Sequence, residues 1–409
     1  MSLINRNSRS ATRQNGLSIL ASFLPRAGQH YGSMRNFDEG PGPRQHVSTL
    51  SPWISRRLIA ESEVISQVVP RYAESESACH PFLREVLWRG YWRSYLEHRP
   101  SIWTSYRNML AEHNPANDPR YHAAILGKSG IGVFDQWVQE LRTEGYLHNH
   151  ARLWFASLWI HTLRLPWQWG AAWFLEHLLD GDAASNTLSW RWVAGLHTKG
   201  KAYLASADNI AKFTNHRLEP SLPASSLAEV SDHEEHLASE PRLAPPLAHY
   251  KIEANEALLL LGDDLSIETL KHIAAHPIRV LAWISADKVA SAYGWSALVR
   301  NFHEEGLQDA TRRAQGVWPH AHSVTLPTNP PDVELVLAEW KALGIKRILV
   351  PAPHQGPYRE IWDETRPYLR DFDIVLFNRQ YDRELAPLGK KGFFDFWNHR
   401  PDWQRLCQD

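Results

Sequence analysis

The sequence predicts an α plus α/β protein, with an all-helical domain first and a Rossmann-like parallel-sheet domain second. In the first half, apolar residues recur at three- and four-residue spacing, the period of an α-helix, as at Val133, Trp137 and Leu141. In the second half, short apolar runs alternate with helical segments, a pattern typical of a parallel sheet covered on both faces. A chain of 409 residues also suits two domains better than one.

The helical domain is predicted to span residues 1–217. Its stretch from Arg152 to Leu179 is apolar nearly all round, which indicates helices buried in a core. Pro166 divides this stretch and suits the start of a second helix rather than a helix interior. Polar residues such as His161 and Arg164 interrupt the stretch, so it does not predict a membrane span.

Residues 218–249 are predicted to form a mobile linker, because proline, serine and acidic residues replace the apolar period. The α/β domain is assigned to residues 250–409. Its five predicted strands occupy 257–261, 279–284, 323–326, 347–350 and 373–377. A helix is predicted at 332–343, where Asn329 and two prolines give a start signal. No G-x-G-x-x-G follows the first strand, so the dinucleotide fingerprint is absent.

Composition narrows the classes of function. The net charge of −1 gives no global basic field for nucleic acid, although a local basic groove stays open. Two cysteines exclude a disulfide framework and any four-cysteine iron–sulfur cluster or zinc site within the chain. With no secretory leader pattern and no 18-residue apolar run, we expect a cytoplasmic protein without a membrane partner. The 19 tryptophans fit either a large aromatic core or a site that stacks rings or passes electrons.

The segment HLLDGDAASNTLSWRW, residues 177–192, places Asp180, Asp182 and Asn186 beside much apolar surface. Buried carboxylates are costly unless something binds them. For an isolated Arg–Asp pair, a purely structural salt bridge is the more common explanation, and Asp180 could form one with Arg152. That account leaves Asp182 and Asn186 unexplained, and both suit the polar edge of a heteroaromatic ligand. Arg191 occupies position twelve where an EF-hand loop needs glutamate.

Two other segments attract attention. His148-Asn149-His150 does not predict a metal site, because neighbouring residues on a helix do not face one another. VSTLSPW, residues 47–53, offers hydroxyls and backbone N–H groups just before a helix that starts near Pro52. That arrangement fits either a bound phosphate or a plain helix cap.

Five motifs occur in an order that resembles the FAD-binding helical domain of the photolyase/cryptochrome family. YGSMRNF (31–37) is similar to the family's tyrosine-led segment, and VSTLSPWI (47–54) to its phosphate loop. FLREVLWRGYWR (82–93) resembles the family's E-x-x-W-R-E helix. GYLHNHAR (145–152) and the segment 177–192 complete the set. Each motif is weak alone, but the ordered set identifies the chain as a member of the family.

The resemblance implies FAD in a folded, U-shaped form. Arg152 and Asp180 would pair over the isoalloxazine ring, Asp182 would accept a hydrogen bond from its polar edge, and Asn186 would lie at N5. The remaining implied cofactor contacts are Tyr31, Ser48, Thr49, Leu50, Ser51, Phe82, Arg89 and Asn149. The residues agree with a planar cofactor, since they offer paired charges and an amide able to donate or accept.

The resemblance also implies a pocket for a cyclobutane pyrimidine dimer flipped out of DNA. Trp88 and Trp192 can stack on an extruded dinucleotide, and Glu85 would hydrogen-bond the pyrimidine carbonyls. The implied DNA contacts are Glu85, Trp88, Arg89, His150, Leu153 and Trp192, with Asn149 as a further pocket residue. The family's (6-4) branch has histidines where this chain has Asn149 and Leu153, which favours the dimer branch.

Several positions depart from the family pattern. Trp190 and Trp167 match the proximal and middle members of the family's photoreduction chain of three tryptophans. The distal position falls near 110–117, which contains no tryptophan, and Trp103 or Trp154 could substitute. The other departures are Val47 and Thr49 in the phosphate loop, Gly90 in place of an acid, and His150 in place of an arginine.

The order of the domains is the largest departure. LLLLGDDLSIETL (258–270) resembles the opening strand and loop of the family's antenna-binding α/β domain, and GKKGFFDFWNHRPDWQ (389–404) resembles its end. In the family this domain precedes the helical one. The sequence therefore predicts a circular permutation, which termini lying close together would permit. It also implies an antenna chromophore of unknown identity in the second domain.

These inferences predict an FAD-dependent, blue-light-driven DNA photolyase, a carbon–carbon lyase acting on damaged single-stranded or duplex DNA. The alternative is a cryptochrome-like photoreceptor with the same FAD site, no repair activity and a protein partner. A third class is a flavin-binding module that does neither. The near-neutral charge favours the photoreceptor, because a repair enzyme must neutralise phosphates. Four cations after the site form either a local basic patch or a solvated face: Lys199, Lys201, Lys212 and Arg217.

Overall fold

The computed structural model describes residues 9–197, 202–223, 226–230, 239–241, 243, 251–327 and 330–408. The helices before the sheet are α1 (Arg13–Phe23), α2 (Gln29–Met34), α3 (Ser51–Ser55), α4 (Glu61–Arg71), α5 (His80–Glu97), α6 (Pro100–Glu112), α7 (Pro119–Ile125), α8 (Gly132–Glu144), α9 (Asn149–Ser157), α10 (Trp167–His177), α11 (Ala183–Val193) and α12 (Ala207–Phe213). The strands are β1 (Glu256–Leu260), β2 (Ile278–Ile284), β3 (His322–Leu326), β4 (Arg347–Pro351) and β5 (Asp373–Phe377). The helices that accompany them are α13 (Lys271–Ala274), α14 (Ala286–Tyr293), α15 (Ala297–Val317), α16 (Pro330–Ala342), α17 (Pro357–Thr365), α18 (Gln380–Leu385), α19 (Phe393–His399) and α20 (Trp403–Leu406).

The α plus α/β class is confirmed. The five strands form one sheet in the order β3-β2-β1-β4-β5, and every neighbouring pair is parallel. Each predicted strand is present, with its ends within one residue of the prediction. All residues of β1 are buried, as expected for a strand covered on both faces. The strand order reverses direction between β1 and β4, so the crevice at their carboxyl ends is the usual ligand position of such a sheet.

The core of the helical half is built by α9, α10 and α11. A π-helical segment, Leu158–Thr162, continues α9, and Pro166 is the N-cap of α10, as predicted. α10 and α11 approach closely at Gly170, where a Cβ atom would lie 2.3 Å from the Trp190 ring. Any larger residue at 170 would push Trp190 away, so this glycine sets where the tryptophan lies.

The two halves of the chain share a continuous apolar core. Alternate residues of β1, Ala257 and Leu259, belong to the cluster that also contains the helical core, while Leu258 and Leu260 face a smaller cluster. α5 packs against α18, and Gly90 lies at this contact, where a Cβ atom would be 2.9 Å from Tyr381 Oη. The acid that the family places at this position would collide with α18, which explains the departure at Gly90.

A buried ion network joins the same two halves. Both Nη atoms of Arg57 donate to Asp382, at 2.7 and 2.5 Å, and its Nε donates to Glu61 at 3.0 Å. Arg379 donates two hydrogen bonds of 2.7 Å to Asp264, which lies 3.4 Å from Arg57. Buried ions are costly unless paired in this way, so the network fixes how α3, α4 and α18 meet.

We propose the domain division 1–217, 218–249 and 250–409 in a circularly permuted order. The parallel sheet after residue 256 and the packed halves support it. Lys199, Lys201, Asn329 and much of the linker lie outside the described residues. Of the linker residues that are described, Ala228 donates to His161 and Ser239 to the carbonyl oxygen of His98. In the described part of the chain, no helix is long and apolar enough to cross a membrane.

Candidate FAD site

One cavity of about 640 Å³ opens between α5, α9, α10 and α11. Its volume lies in the range of roughly 300–1,000 Å³ that small-molecule sites occupy. Most of the residues proposed from sequence line it: Tyr31, Ser48, Ser51, Phe82, Glu85, Trp88, Arg89, Asn149, Arg152, Leu153, Asp180, Asp182, Asn186, Trp190 and Trp192. Thr49, Leu50, His150 and Trp167 do not line it. Segments far apart in sequence therefore converge on one pocket.

Helix periodicity explains how α5 and α11 supply their residues. On α5 the cavity receives Glu85, Trp88, Arg89 and Trp92, at offsets of three, four and seven. α11 repeats the same offsets from Asn186 through Ser189 and Trp190 to Val193. Such residues share one helix face. Each helix therefore presents a mixed polar and aromatic stripe to the pocket.

Arg152 and Asp180 form a two-point ion pair in the wall of the cavity. Arg152 Nη1 and Nη2 donate to the two carboxylate oxygens of Asp180 at 3.0 and 2.7 Å. The Nε of Arg152 donates to the carbonyl oxygen of Leu147 at 2.9 Å, which fixes the plane of the guanidinium group. The predicted pairing of these residues is present, and its flat, charged surface faces a cavity rather than closed protein.

Asp182 is held by arginines beneath the cavity. Its Oδ1 caps α11 by accepting from the Ser185 N–H at 2.8 Å, and its Oδ2 accepts from Arg89 at 2.7 Å. Burial alone would raise the pKa of Asp182, but the charges of Arg89 and Arg93 overcome it and hold the pKa well below its usual range. The group is therefore a fixed anion that keeps acceptor capacity toward the cavity.

Glu61 and Arg93 are site-supporting residues that sequence reasoning missed. Arg89 donates to Glu61 at 2.9 Å and to Asp182 at 2.7 Å, so it bridges the two carboxylates. Arg93 lies 3.5 and 3.4 Å from the same two groups. The i,i+4 spacing of Arg89 and Arg93 could have revealed them. Two buried cations on one helix face require carboxylates on the element that packs against that face.

Asn186 presents its side-chain oxygen to the cavity. Its Nδ2 donates to the carbonyl oxygen of Ala171 at 2.8 Å, which fixes the orientation of the amide. Among the described residues, Oδ1 has no hydrogen-bond partner. An amide oxygen in a cavity wall without a protein partner can accept from a ligand that carries an N–H or O–H donor.

The predicted phosphate loop lies at one end of the cavity. Ser48 and Ser51 line it, while Leu50 is buried beneath. Thr49 has a φ of +54°, a conformation that a β-branched residue rarely adopts. α3, which follows, has only five residues. Strain of this kind concentrates at ligand-binding loops, and the two serine hydroxyls are the donors that this loop offers.

Glu85 lies at the open side of the cavity, where part of its surface is accessible. The surrounding protein raises the pKa of its carboxyl, while the cations Arg35 and Arg84 oppose that change. Burial also raises the pKa of the nearby Tyr31 hydroxyl, and Glu85 adds to this. A carboxyl with a raised pKa keeps a proton to higher pH and can then donate a hydrogen bond.

His150 and Trp167 do not line the cavity. α9 begins at Asn149, so Arg152 and Leu153 share its face, whereas His150 points about 100° away. The His150 ring contacts Trp154 and Phe213 instead of the cavity. Trp167 stacks on Tyr106 with ring centroids 5.7 Å apart.

Trp190 begins a series of ring contacts that leads away from the cavity. Its ring centroid lies 6.1 Å from that of Trp159, which lies 6.0 Å from that of Tyr121. Tyr121 is half-buried, so the series ends at solvent. A second series joins Trp167 through Tyr106 to Trp103.

The crevice at the carboxyl ends of β1, β4 and β5 is nearly filled. Asp264, Arg379 and Asp382 occupy it together with Arg57, and the cavities lined by described residues there measure about 10 and 30 Å³. Such volumes hold at most a few water molecules. An antenna chromophore at this edge of the sheet would require the buried ion network to open.

Residues 82–245 match the family model described as the FAD binding domain of DNA photolyase. The deoxyribodipyrimidine photo-lyase of Streptomyces griseus is 32% identical over 170 residues, which are 41% of this chain and 36% of that protein. The Escherichia coli (strain K12) deoxyribodipyrimidine photo-lyase is 30% identical over 196 residues, 46% of this chain and 40% of that protein. The crystal structure of a bacterial class III photolyase from Agrobacterium tumefaciens is 24% identical, with a TM-score of 0.43 and coverage of 50% of this chain and 43% of that one.

The helical half therefore contains an FAD-binding domain of the photolyase type. The match with this domain of DNA photolyase covers residues 82–245, less than half of the chain, and both curated relatives are deoxyribodipyrimidine photo-lyases. The chain spans less than half of the length of the curated relatives it matches.

Proposed function

We propose that this protein is an FAD-dependent, blue-light-driven photolyase that acts on cyclobutane pyrimidine dimers in DNA. The observation that carries the proposal is the cavity of about 640 Å³. It brings the family's cofactor residues, such as Arg152, Asp180 and Asn186, together with Glu85 and two tryptophans.

The donor set fits a flavin. The Arg152–Asp180 pair offers a flat charged surface, Asp182 is a fixed anion, and Asn186 Oδ1 lacks a partner among the described residues. Ser48 and Ser51 offer hydroxyl donors to the phosphates. Reduced FAD, when bound and excited by blue light, supplies an electron to the dimer.

The chain's own residues would hold and polarise the substrate. Trp88 and Trp192 line the cavity and are half-buried, so each can present a ring face to an extruded base. Glu85, whose carboxyl pKa is raised, would in its protonated form donate a hydrogen bond to a pyrimidine carbonyl. A neutral carboxyl there stabilises negative charge as it develops on the base. Arg89 already contacts Glu61, Asp182 and the carbonyl oxygen of Ser55, so we assign it to holding Asp182.

We propose that Trp190 would give up an electron during photoreduction of the bound cofactor, that Trp159 and then Tyr121 would replace this electron in turn, and that an external reductant such as a thiol would re-reduce Tyr121. The ring centroids along this series lie about 6 Å apart. Trp190 lines the cavity, and its ring contacts that of Trp159. The series therefore offers a route to solvent in a chain that lacks the family's distal tryptophan.

A cryptochrome-like photoreceptor is the second candidate, and the net charge of −1 favours it. DNA-binding proteins gain much of their affinity by neutralising phosphates, so a repair enzyme without a basic field needs local cations. In a photoreceptor the same cofactor would change redox state and alter a surface that a protein partner recognises.

The test is repair by the purified full chain. The protein is reduced and illuminated with blue light in the presence of single-stranded DNA that contains thymine cyclobutane dimers, and the remaining dimers are counted. We expect dimers to disappear in the light and to persist in a dark sample. Intact bound flavin with no loss of dimers would eliminate the repair activity and leave the photoreceptor or a flavin-binding module with neither activity.

A further inference from the structure

α19 brings aromatic side chains from the C-terminal half to the cavity. Phe393 stacks on Trp88, with ring centroids 3.7 Å apart and planes 8° from parallel. Tyr91 donates from its hydroxyl to the carbonyl oxygen of Lys391 at 3.0 Å, and Phe396 packs on Tyr91 at 5.4 Å. The start of α19 is therefore held firmly against α5.

Phe394 follows the stacked residue but faces outward. Phe393, Phe396 and Trp397 form the buried stripe of α19, and Phe394 lies about 100° around the helix from Phe393. It lines the cavity while keeping 68% of its surface exposed. A well-anchored helix thus presents a bare phenyl ring at the cavity's opening.

The cavity's other accessible rings have one face covered. Phe393 lies flat on Trp88, and Tyr203 stacks on Trp192 with centroids 5.8 Å apart. An exposed ring beside two half-buried ones at one opening is typical of an interaction site. Aromatic faces stack on any nucleobase, because every base has a π-face.

Two cations contact Trp397, in the buried stripe of α19. The guanidinium carbons of Arg84 and Arg400 lie 5.1 and 4.0 Å from the ring centroid of Trp397. The Nε of each is buried and has no hydrogen-bond partner among the described residues.

We propose that Phe394 is a substrate-contacting residue whose ring stacks on a pyrimidine base of the extruded dimer. The inference rests on the proposed function. It makes the lesion pocket composite, because one wall comes from α5 and α11 and another from a helix near the C-terminus.

The experiment compares binding by full-length protein loaded with its flavin. The probes are a single-stranded oligothymidine with one cyclobutane dimer and the same strand undamaged, followed by fluorescence anisotropy. The variants are Phe394→Ala, Phe394→Tyr and the control Leu335→Ala. Leu335, in α16, is exposed to the same degree, 67%, and does not line the cavity. Flavin content reports that each variant is folded.

We expect Phe394→Ala to weaken binding of the dimer strand by roughly tenfold to a hundredfold, the effect of losing one base–aromatic stack. Binding of the undamaged strand should change little, Phe394→Tyr should restore the preference, and Leu335→Ala should match the wild type. A wild-type preference for the dimer that Phe394→Ala leaves intact would overturn this inference alone. A wild-type protein without any preference would overturn the proposed function as well.

Discussion

Replacing Glu61 with Gln removes the charge from a carboxylate that three arginines share. Glu61 is 1% exposed and accepts hydrogen bonds from Arg57, Arg89 and Arg93 at 3.0, 2.9 and 3.5 Å. Arg57 also donates a hydrogen bond to Asp382 in the C-terminal half, and Arg89 also donates one to Asp182 at the cavity. The substitution therefore tests whether one network supports both the junction and the site.

The expected loss of folding stability follows from the lowered pKa of Glu61. Burial alone would raise the pKa of its carboxyl, but the charges of Arg57, Arg93 and Arg89 overcome it and lower the pKa to about 2. The ordinary value is about 4.3, and each pKa unit is worth about 1.36 kcal/mol, so ionised Glu61 contributes about 3 kcal/mol at pH 7. Breaking a buried ion pair typically costs a similar ~3–5 kcal/mol.

The assay is urea unfolding of the full chain, followed by tryptophan fluorescence and by circular dichroism. Coincident transitions would justify the two-state analysis. The control is Glu74→Gln at an exposed carboxylate, where we expect a change within about 0.5 kcal/mol. Because the folded-state pKa is lowered, the contribution is present above pH of about 4.3 and is lost as the pH falls toward 2. A loss for Glu61→Gln below about 1 kcal/mol would refute the reasoning.

Three further predictions concern the site. Trp88→Ala should abolish the preference for dimer-containing DNA and leave flavin content unchanged; repair that persists would mean that the lesion pocket is misplaced. The affinity for dimer-containing DNA should fall as the pH rises through the raised pKa of Glu85, because the carboxylate can no longer donate. Glu85→Gln should flatten that profile, and an unchanged slope would exclude Glu85 as the donor. Trp159→Phe should slow light-driven reduction of the flavin more than Trp167→Phe does, measured by flavin absorbance with an external thiol; the reverse order would favour the series through Tyr106.

Local sequence patterns predicted the strands and helices of the fold and most residues of the pocket. The strands were predictable because continuous apolar runs bounded by turn residues mark buried parallel strands. The pocket residues were predictable because they lie within motifs that resemble those of the family and stand in the same order. Helix spacing of three and four residues then places such residues on one helix face, as for Glu85, Trp88 and Arg89.

Contacts between distant parts of the chain were not predictable in the same way. Phe394 and Glu61 reach the site only because α19 and α4 pack on α5, and no local period encodes that packing. His150 is the opposite case. Its motif position implied a DNA contact, but the start of α9 at Asn149 turns it toward Phe213.

The central claim is that the cavity between α5, α9, α10 and α11 holds FAD, and the flavin content of the purified full chain tests it most directly. The cofactor is released by denaturation, identified by chromatography and counted against protein. We predict about one FAD per chain, with a marked loss in Asp180→Ala, which removes the partner of Arg152. A chain that binds no FAD when supplied in excess, or one whose FAD content is indifferent to Asp180→Ala, would contradict the account.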